Sequence, residues 1–162
     1  MLVYRLYKSN YIAQPLSAEG ARRAGGRWNP KGYPILYTSA TPELALLEIV
    51  AHLNPLYLPN FHLLVLDIPE THHVVSLADL PSNWQDEQQI EVLQSYLGGW
   101  LEEPDRLSVS VPSAIVERSR NYLLHTLHPS FEDAVKIVEN APFRIDGRLP
   151  VSYTHLTLPT KA

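Results

Sequence analysis

Residues 20–48, GARRAGGRWNPKGYPILYTSATPELALLE, decide how this chain is to be read. They run from a basic, glycine-bearing loop into a strand, then into a helix that carries one carboxylate, Glu48, among leucines. Residues 17–31 are expected to form a loop, with turn chemistry at Asn29-Pro30-Lys31-Gly32. Residues 34–38 (PILYT) have the β-branched and aromatic content of a short strand. Thr41-Pro42 reads as a helix start, because threonine can cap free amides and proline suits the first helical position. That helix is expected over residues 42–53, ended by Asn54-Pro55. On it Glu48 falls near Leu44, Leu47 and Ala51, so its carboxylate is expected on a buried face. A buried carboxylate needs a cation, hydrogen-bond donors or a ligand. Two readings follow: an ion pair with Arg27 or Arg22, or a preorganised negative charge in a cleft.

The loop is locally positive in an acidic chain. Arg22, Arg23, Arg27 and Lys31 lie between Glu19 and Glu43 with no acid among them, while the whole chain of 162 residues carries a formal charge of −4. Guanidinium forks and close backbone amides at Gly25 and Gly26 would suit a diphosphate; a merely solvated loop is the plainer reading. Trp28 and Tyr37 could offer flat surfaces to a nicotinamide or adenine ring, or could pack in the core. Ser113 follows a strand and a proline, where its hydroxyl could face a cleft or cap the next turn. No G-x-S-x-G elbow surrounds it, which argues against a serine hydrolase.

Outward from this segment, residues 2–7 alternate as a strand that sends Arg5 to the face opposite Tyr4. Residues 61–68 (FHLLVLDI) form a near-continuous apolar run, expected as an interior strand covered on both faces. A helix is expected around residues 86–96, stopped by Gly98-Gly99, with Trp84 and Trp100 as packing residues. Residues 107–111 (LSVSV) alternate as a further strand. Residues 121–127 and 131–138 read as short mixed segments, and no repeat is present. Interleaved strands and helices, punctuated by 14 prolines, indicate an α+β class rather than a regular βαβ series.

Composition excludes several functions. A chain of this length fills one core, so one domain is expected. Its charge balance argues against direct nucleic-acid binding or an anionic membrane surface. With 0 cysteines there is neither a disulfide frame nor a thiolate metal site. The histidines, including His72-His73, His125 and His128, lack metal-ligand spacing, so no metal is expected. The start does not read as a signal peptide, and no apolar run spans a bilayer; a soluble cytoplasmic protein is expected. No Walker loop, Rossmann fingerprint or zinc-protease helix occurs. Residues 151–162, VSYTHLTLPTKA, resemble a reading frame through a transposon adapter used in library preparation, an ordinary disordered tail being the alternative. The domain is therefore expected to occupy residues 1–150, with the native terminus missing beyond it.

GGRWNPKGYPILYTSATPELALLEIVAHL, with VPSAIVERSRNYLL and FRIDGRL later, resembles the RES domain family, the toxins of bacterial toxin–antitoxin pairs. The resemblance spans residues 1–149. It implies an ADP-ribosyltransferase-like fold, in which a split β-sheet core with surrounding helices holds NAD as substrate rather than cofactor. It also implies cleavage of the nicotinamide–ribose bond by hydrolysis or phosphorolysis, with ADP-ribosylation of a protein as the alternative. Matched residue by residue, the family's arginine, glutamate and serine fall on Arg27, Glu48 and Ser113. Tyr37 matches its active-site tyrosine, and Arg5 matches an arginine of the NAD pocket. The implied partner is an Xre-type helix-turn-helix antitoxin, with a homodimer inside the larger complex. One departure touches the acceptor side: many relatives have asparagine-proline where this chain has His125-Thr126. A binding module without catalysis, whose arginines and Glu48 merely pair, is the competing reading.

Overall fold

One sheet of seven strands organises the described residues, which are 1–54 and 56–149 of this computed structural model. The strands are β1 (Leu2–Lys8), β2 (Ile35–Ser39), β3 (Phe61–Asp67), β4 (His73–Val74), β5 (Ser108–Pro112), β6 (Arg120–His125) and β7 (Lys136–Phe143). Between them lie α1 (Glu19–Ala24), α2 (Pro42–Val50), α3 (Ile90–Tyr96), α4 (Gly98–Glu102) and α5 (Phe131–Ala134). Across the sheet the order is β4-β5-β6-β2-β1-β3-β7, antiparallel except for β4 with β5. This is the expected mixed α+β architecture. The expected tail, residues 151–162, and Pro150 lie outside the described residues.

The sheet is split between β1 and β2. β1 pairs with β3 along its whole length, from Leu2↔Asp67 to Lys8↔Phe61, whereas its register pair with β2 is Tyr4↔Ser39. Strand alternation puts Ser39, Tyr37 and Ile35 on one face of β2, and the pairing with Tyr4 makes it the face of Tyr4 and Leu6 as well. Two separate packing units cover that face. Trp28, Trp84, Leu93 and Trp100 pack over Ile35, Val109 and Leu123 on one side. On the other, Ala45, Leu46 and Ile49 of α2 pack over Leu6 and Phe61. The opposite face buries Val3, Tyr7, Leu36, Leu64 and Leu124 with Phe131 and Val135.

Several elements differ from their sequence-based expectation, each for a physical reason. α1 forms inside the expected loop, where Glu19 bonds Arg22 and Arg23 one turn later. α2 stops at Val50, and the N–H groups of His52 and Leu53 then bond three residues back, the tighter turn common at helix ends. Gly98-Gly99 opens α4 rather than ending a helix. β5 alternates in sequence yet is buried on both faces. Its serines are covered, because Arg120 Nε donates to Ser110 Oγ at 2.9 Å and His72 Nδ1 meets Ser108 Oγ at 3.0 Å. β7, which only begins within the segment 131–138 read as mixed, is an edge strand with mostly exposed side chains, so it carries no burial periodicity to be read.

His125 lies in the core at 1 % exposure, its ring edge-on to Trp100 at 5.2 Å and its Nε2 bonded to Leu101 O at 2.9 Å. Beside it Thr126 Oγ1 donates to Pro34 O at 2.8 Å. Burial holds the imidazole below its ordinary 6.5. Above that value it is neutral in both folded and unfolded chains. Below it the unfolded chain takes up a proton that the folded chain resists, so stability falls with acidification by at most about 1.4 kcal/mol per pH unit. His125→Gln, which keeps the donor to Leu101, is expected to flatten this loss between about pH 6.5 and 5; urea titrations at several pH values measure it.

Candidate active site

Glu48 is delivered by a helix whose start is fixed locally. Thr41 Oγ1 accepts the Leu44 N–H at 3.1 Å and Pro42 occupies the first turn, as the sequence indicated. Thr41→Ala is expected to cost about 1 kcal/mol in urea unfolding. The face carrying Glu48 is less buried than expected: Leu44 is buried, but Leu47 is 42 % exposed and Glu48 itself is half-buried. The ion pair with Arg22 or Arg27 does not form, and among the described residues no cation lies within ion-pair distance of Glu48. Its Oε2 instead accepts a hydrogen bond from Asn121 Nδ2, and Ser39 Oγ donates to Asn121 Oδ1 at 2.8 Å. The carboxylate therefore sits where the α2 unit meets the β2/β6 pair.

Arg5 spans the split. Its Nη1 donates to the Tyr37 carbonyl at 3.1 Å, while its Nε is enclosed without a partner. Burial lowers the guanidinium to about 10, which leaves it a cation at neutral pH. A buried cation with an unused donor is costly unless an anion or acceptor completes its shell.

Tyr37 braces the glycine loop. Its hydroxyl donates to Asn29 Oδ1 at 2.6 Å and accepts the Trp28 N–H at 3.1 Å, and burial raises it far above the ordinary phenol value. Asn29, 0 % exposed, also donates to Ala21 O at 3.1 Å and Tyr33 O at 3.2 Å. Gln94 of α3 donates to Gly26 O at 2.8 Å and Asn29 O at 3.1 Å. Gly25 takes φ 73°, a conformation that suits glycine.

Arg27 leaves this loop half-buried, and its Nη1 donates to Gln85 O at 3.2 Å. Gln85 Nε2 donates onward to Ala114 O at 2.9 Å, linking Arg27 to the turn that Ser113 opens. Ser113 is 0 % exposed, and its Oγ accepts the Ile115 and Val116 N–H groups at 3.1 and 3.2 Å. It thus shapes that turn and retains one hydroxyl proton to donate.

The structure joins Arg5 to Tyr37, ties Glu48 to β2 through Asn121 and Ser39, and links Arg27 to the Ser113 turn. Two sequence-based expectations are corrected. Trp28 is 2 % exposed and packs against Trp84 at 6.3 Å, so it is a core residue without an open face for a ring. Arg22 and Arg23 are engaged with Glu19 on α1. Sequence reasoning missed Asn121, Ser39, Asn29 and Gln85, and for Asn121 the available signal was an amide beside the apolar run of residues 122–124. Two surface concavities, of about 370 and 300 Å³, are lined by none of the candidate residues. Among the described residues no cluster of three metal-ligating side chains occurs, and no helix is long and apolar enough to cross a membrane.

Comparison with known proteins places this geometry in a family. Residues 2–146 match the RES domain model. A protein named Toxin Res from Photorhabdus laumondii is 33 % identical over 151 residues, covering 92 % of this chain and 97 % of its own. A Prs ADP-ribosylating toxin from Sphingobium sp. is 36 % identical over 124 residues, covering 74 % and 77 %. Among solved structures, the M. tuberculosis MbcT-MbcA toxin–antitoxin complex contains a chain of the same fold, with TM-score 0.70, 18 % identity, and coverage of 96 % of this chain and 87 % of that one. The family match over residues 2–146, with relatives 33 % and 36 % identical along most of both chains, identifies this chain as a member of the RES domain family.

Proposed function

We propose that this chain is a toxin that degrades NAD by cleaving the nicotinamide–ribose bond. The observation that carries the reading is Glu48: a half-buried carboxylate with no cation in ion-pair distance among the described residues, held by a neutral amide at the joint whose other side holds the Arg5 guanidinium. In the reaction the ribosyl C1–nitrogen bond breaks and its electron pair leaves with nicotinamide. Positive charge develops at the ribosyl carbon, where an adjacent carboxylate stabilises it directly or through a ribose hydroxyl. Water or phosphate then bonds to that carbon. Water loses a proton to solvent, and the products are nicotinamide with ADP-ribose or its phosphate ester.

Arg5 and Arg27 are assigned to the pyrophosphate, fixing the ribose relative to Glu48. Tyr37 has its hydroxyl committed to Asn29 and Trp28, so its part is to present its ring and hold the loop bearing Arg27. Ser113, fully buried, is assigned to shaping the turn that Gln85 links to Arg27. An antitoxin of the Xre type is the proposed partner, with a toxin homodimer inside the complex, and the cytoplasm, where NAD is held, is the proposed location. That the structurally similar chain comes from a toxin–antitoxin complex supports an antitoxin as partner.

The test is NMR of nicotinamide release by purified, antitoxin-free protein, with and without phosphate. Release by wild type and not by folded Glu48→Gln supports the reading, and dependence on phosphate names the acceptor. No release from folded wild type overturns it. Protein ADP-ribosylation is the second reading, favoured by the name of the Sphingobium relative; labelled NAD in lysate would then leave label on protein. A binding module consumes no NAD in either form.

A further inference from the structure

We propose that Asn121, oriented by Ser39, is the positioning residue for the Glu48 carboxylate. The inference rests on the reading of Glu48 above and extends it to a pair of side chains on the two neighbouring strands. Asn121 of β6 stands directly opposite Ser39 of β2 in the sheet register, and the two are 9 % and 4 % exposed. Ser39 Oγ donates to Asn121 Oδ1 at 2.8 Å, and Asn121 Nδ2 donates to Glu48 Oε2. The amide has one sensible orientation. Turned over, it would aim its oxygen at the carboxylate, setting two acceptors against each other. The acceptor-only carboxylate fixes which end of the amide faces it, and Ser39, by donating to Oδ1, holds the amide in that rotamer.

The arrangement has two chemical consequences. Holding Oε2 leaves Oε1 as the carboxylate oxygen for substrate, and it confines a side chain that would otherwise sample several rotamers on a half-exposed helix face. A neutral donor also orients the carboxylate without cancelling its charge. A lysine or arginine in the same place would fix Glu48 equally well but would oppose stabilisation of a cationic ribosyl centre. The grip comes from the far side of the split: α2 rides on β1 and β3, while Asn121 and Ser39 belong to β6 and β2. The position of the carboxylate thus registers how the two parts of the sheet meet.

The experiment uses the full chain and the variants Asn121→Ala, Ser39→Ala, Glu48→Gln and Asn121→Ala/Glu48→Gln, each checked for folding by near-ultraviolet circular dichroism. With NAD as substrate, Asn121→Ala is expected to lower kcat about 10- to 100-fold, with KM changed less than about twofold. Ser39→Ala is expected to lower kcat about fivefold in the same pattern. In the Glu48→Gln background, removing Asn121 should cost nothing further, since there is no carboxylate left to position. Wild-type kcat in folded Asn121→Ala overturns the proposal, and so does a raised KM at constant kcat, which would mean contact with substrate. If Asn121→Ala fails to fold, Ser39→Ala decides by the same two criteria. An activity-independent readout separates this proposal from the NAD reading. The side-chain amide protons of Asn121 in a ¹⁵N–¹H spectrum should shift in both Glu48→Gln and Ser39→Ala. Unchanged amide resonances overturn the positioning role even if NAD is consumed. Shifted resonances in a protein that consumes no NAD sustain the Asn121–Glu48 link while the NAD reading falls.

Discussion

Glu48→Gln is expected to reduce nicotinamide release from NAD by about 10³-fold while leaving the protein folded. Glutamine keeps the length and shape of the side chain and still offers an oxygen to Asn121 Nδ2, so the contact between α2 and β6 survives. What disappears is the negative charge. Half-burial strengthens the field of that charge relative to water, and the proposed transition state carries its positive charge at the ribosyl carbon. The loss should therefore appear in kcat more than in KM, because in ground-state NAD the positive charge is spread over the pyridinium ring and concentrates on the ribosyl centre only as the bond breaks. The urea midpoint should move little, since among the described residues Glu48 has no ion pair to lose. A variant that stays folded and turns over NAD at the wild-type rate would remove Glu48 from the chemistry.

Gly26→Ala is expected to be the most destabilising single-methyl change in the loop. A Cβ at this position would lie 2.7 Å from Tyr37 Oη and 3.0 Å from both Asn29 Oδ1 and Tyr37 Cζ. These atoms form the buried hydrogen bond that pins the loop, and the backbone on either side is held by Asn29 O and Gln94. The methyl must displace either the hydroxyl or the amide. Overpacking and a stranded buried donor together should cost about 3 kcal/mol, lowering Tm by about 10 °C. Gly20→Ala is the control: nothing lies within 4 Å of its added Cβ, and it sits in α1, where alanine is favoured over glycine by roughly 0.5–1 kcal/mol. Equal Tm values for the two variants would show that the Tyr37–Asn29 brace does not hold the loop.

Local patterns made much of this molecule legible. The cap and proline of α2, the apolar run of β3 and the packing of Trp84 and Trp100 were readable because each depends on neighbours within a few residues. The elements that escaped have weak local signals. β7 is an edge strand without burial contrast, and β4 is two residues long. Trp28 illustrates the limit in the other direction: its position beside a basic loop invited a ligand role, and the packing of Trp84 from a distant segment made it core.

By itself the sequence determined the α+β class and the strand–cap–helix unit that carries Glu48, and its Gly-Gly-Arg-Trp-Asn, Tyr-Thr and Leu-Leu-Glu segments carried the resemblance that the family match over residues 2–146 then bore out. Only the tertiary structure decided what each candidate side chain touches. Arg5 reaches Tyr37 across 32 residues of chain and Asn121 reaches Glu48 across 73. The physical reason is that helix caps and strand alternation are set by local backbone geometry. A carboxylate's partner is instead chosen by how separately built layers pack, and no short stretch of sequence encodes that.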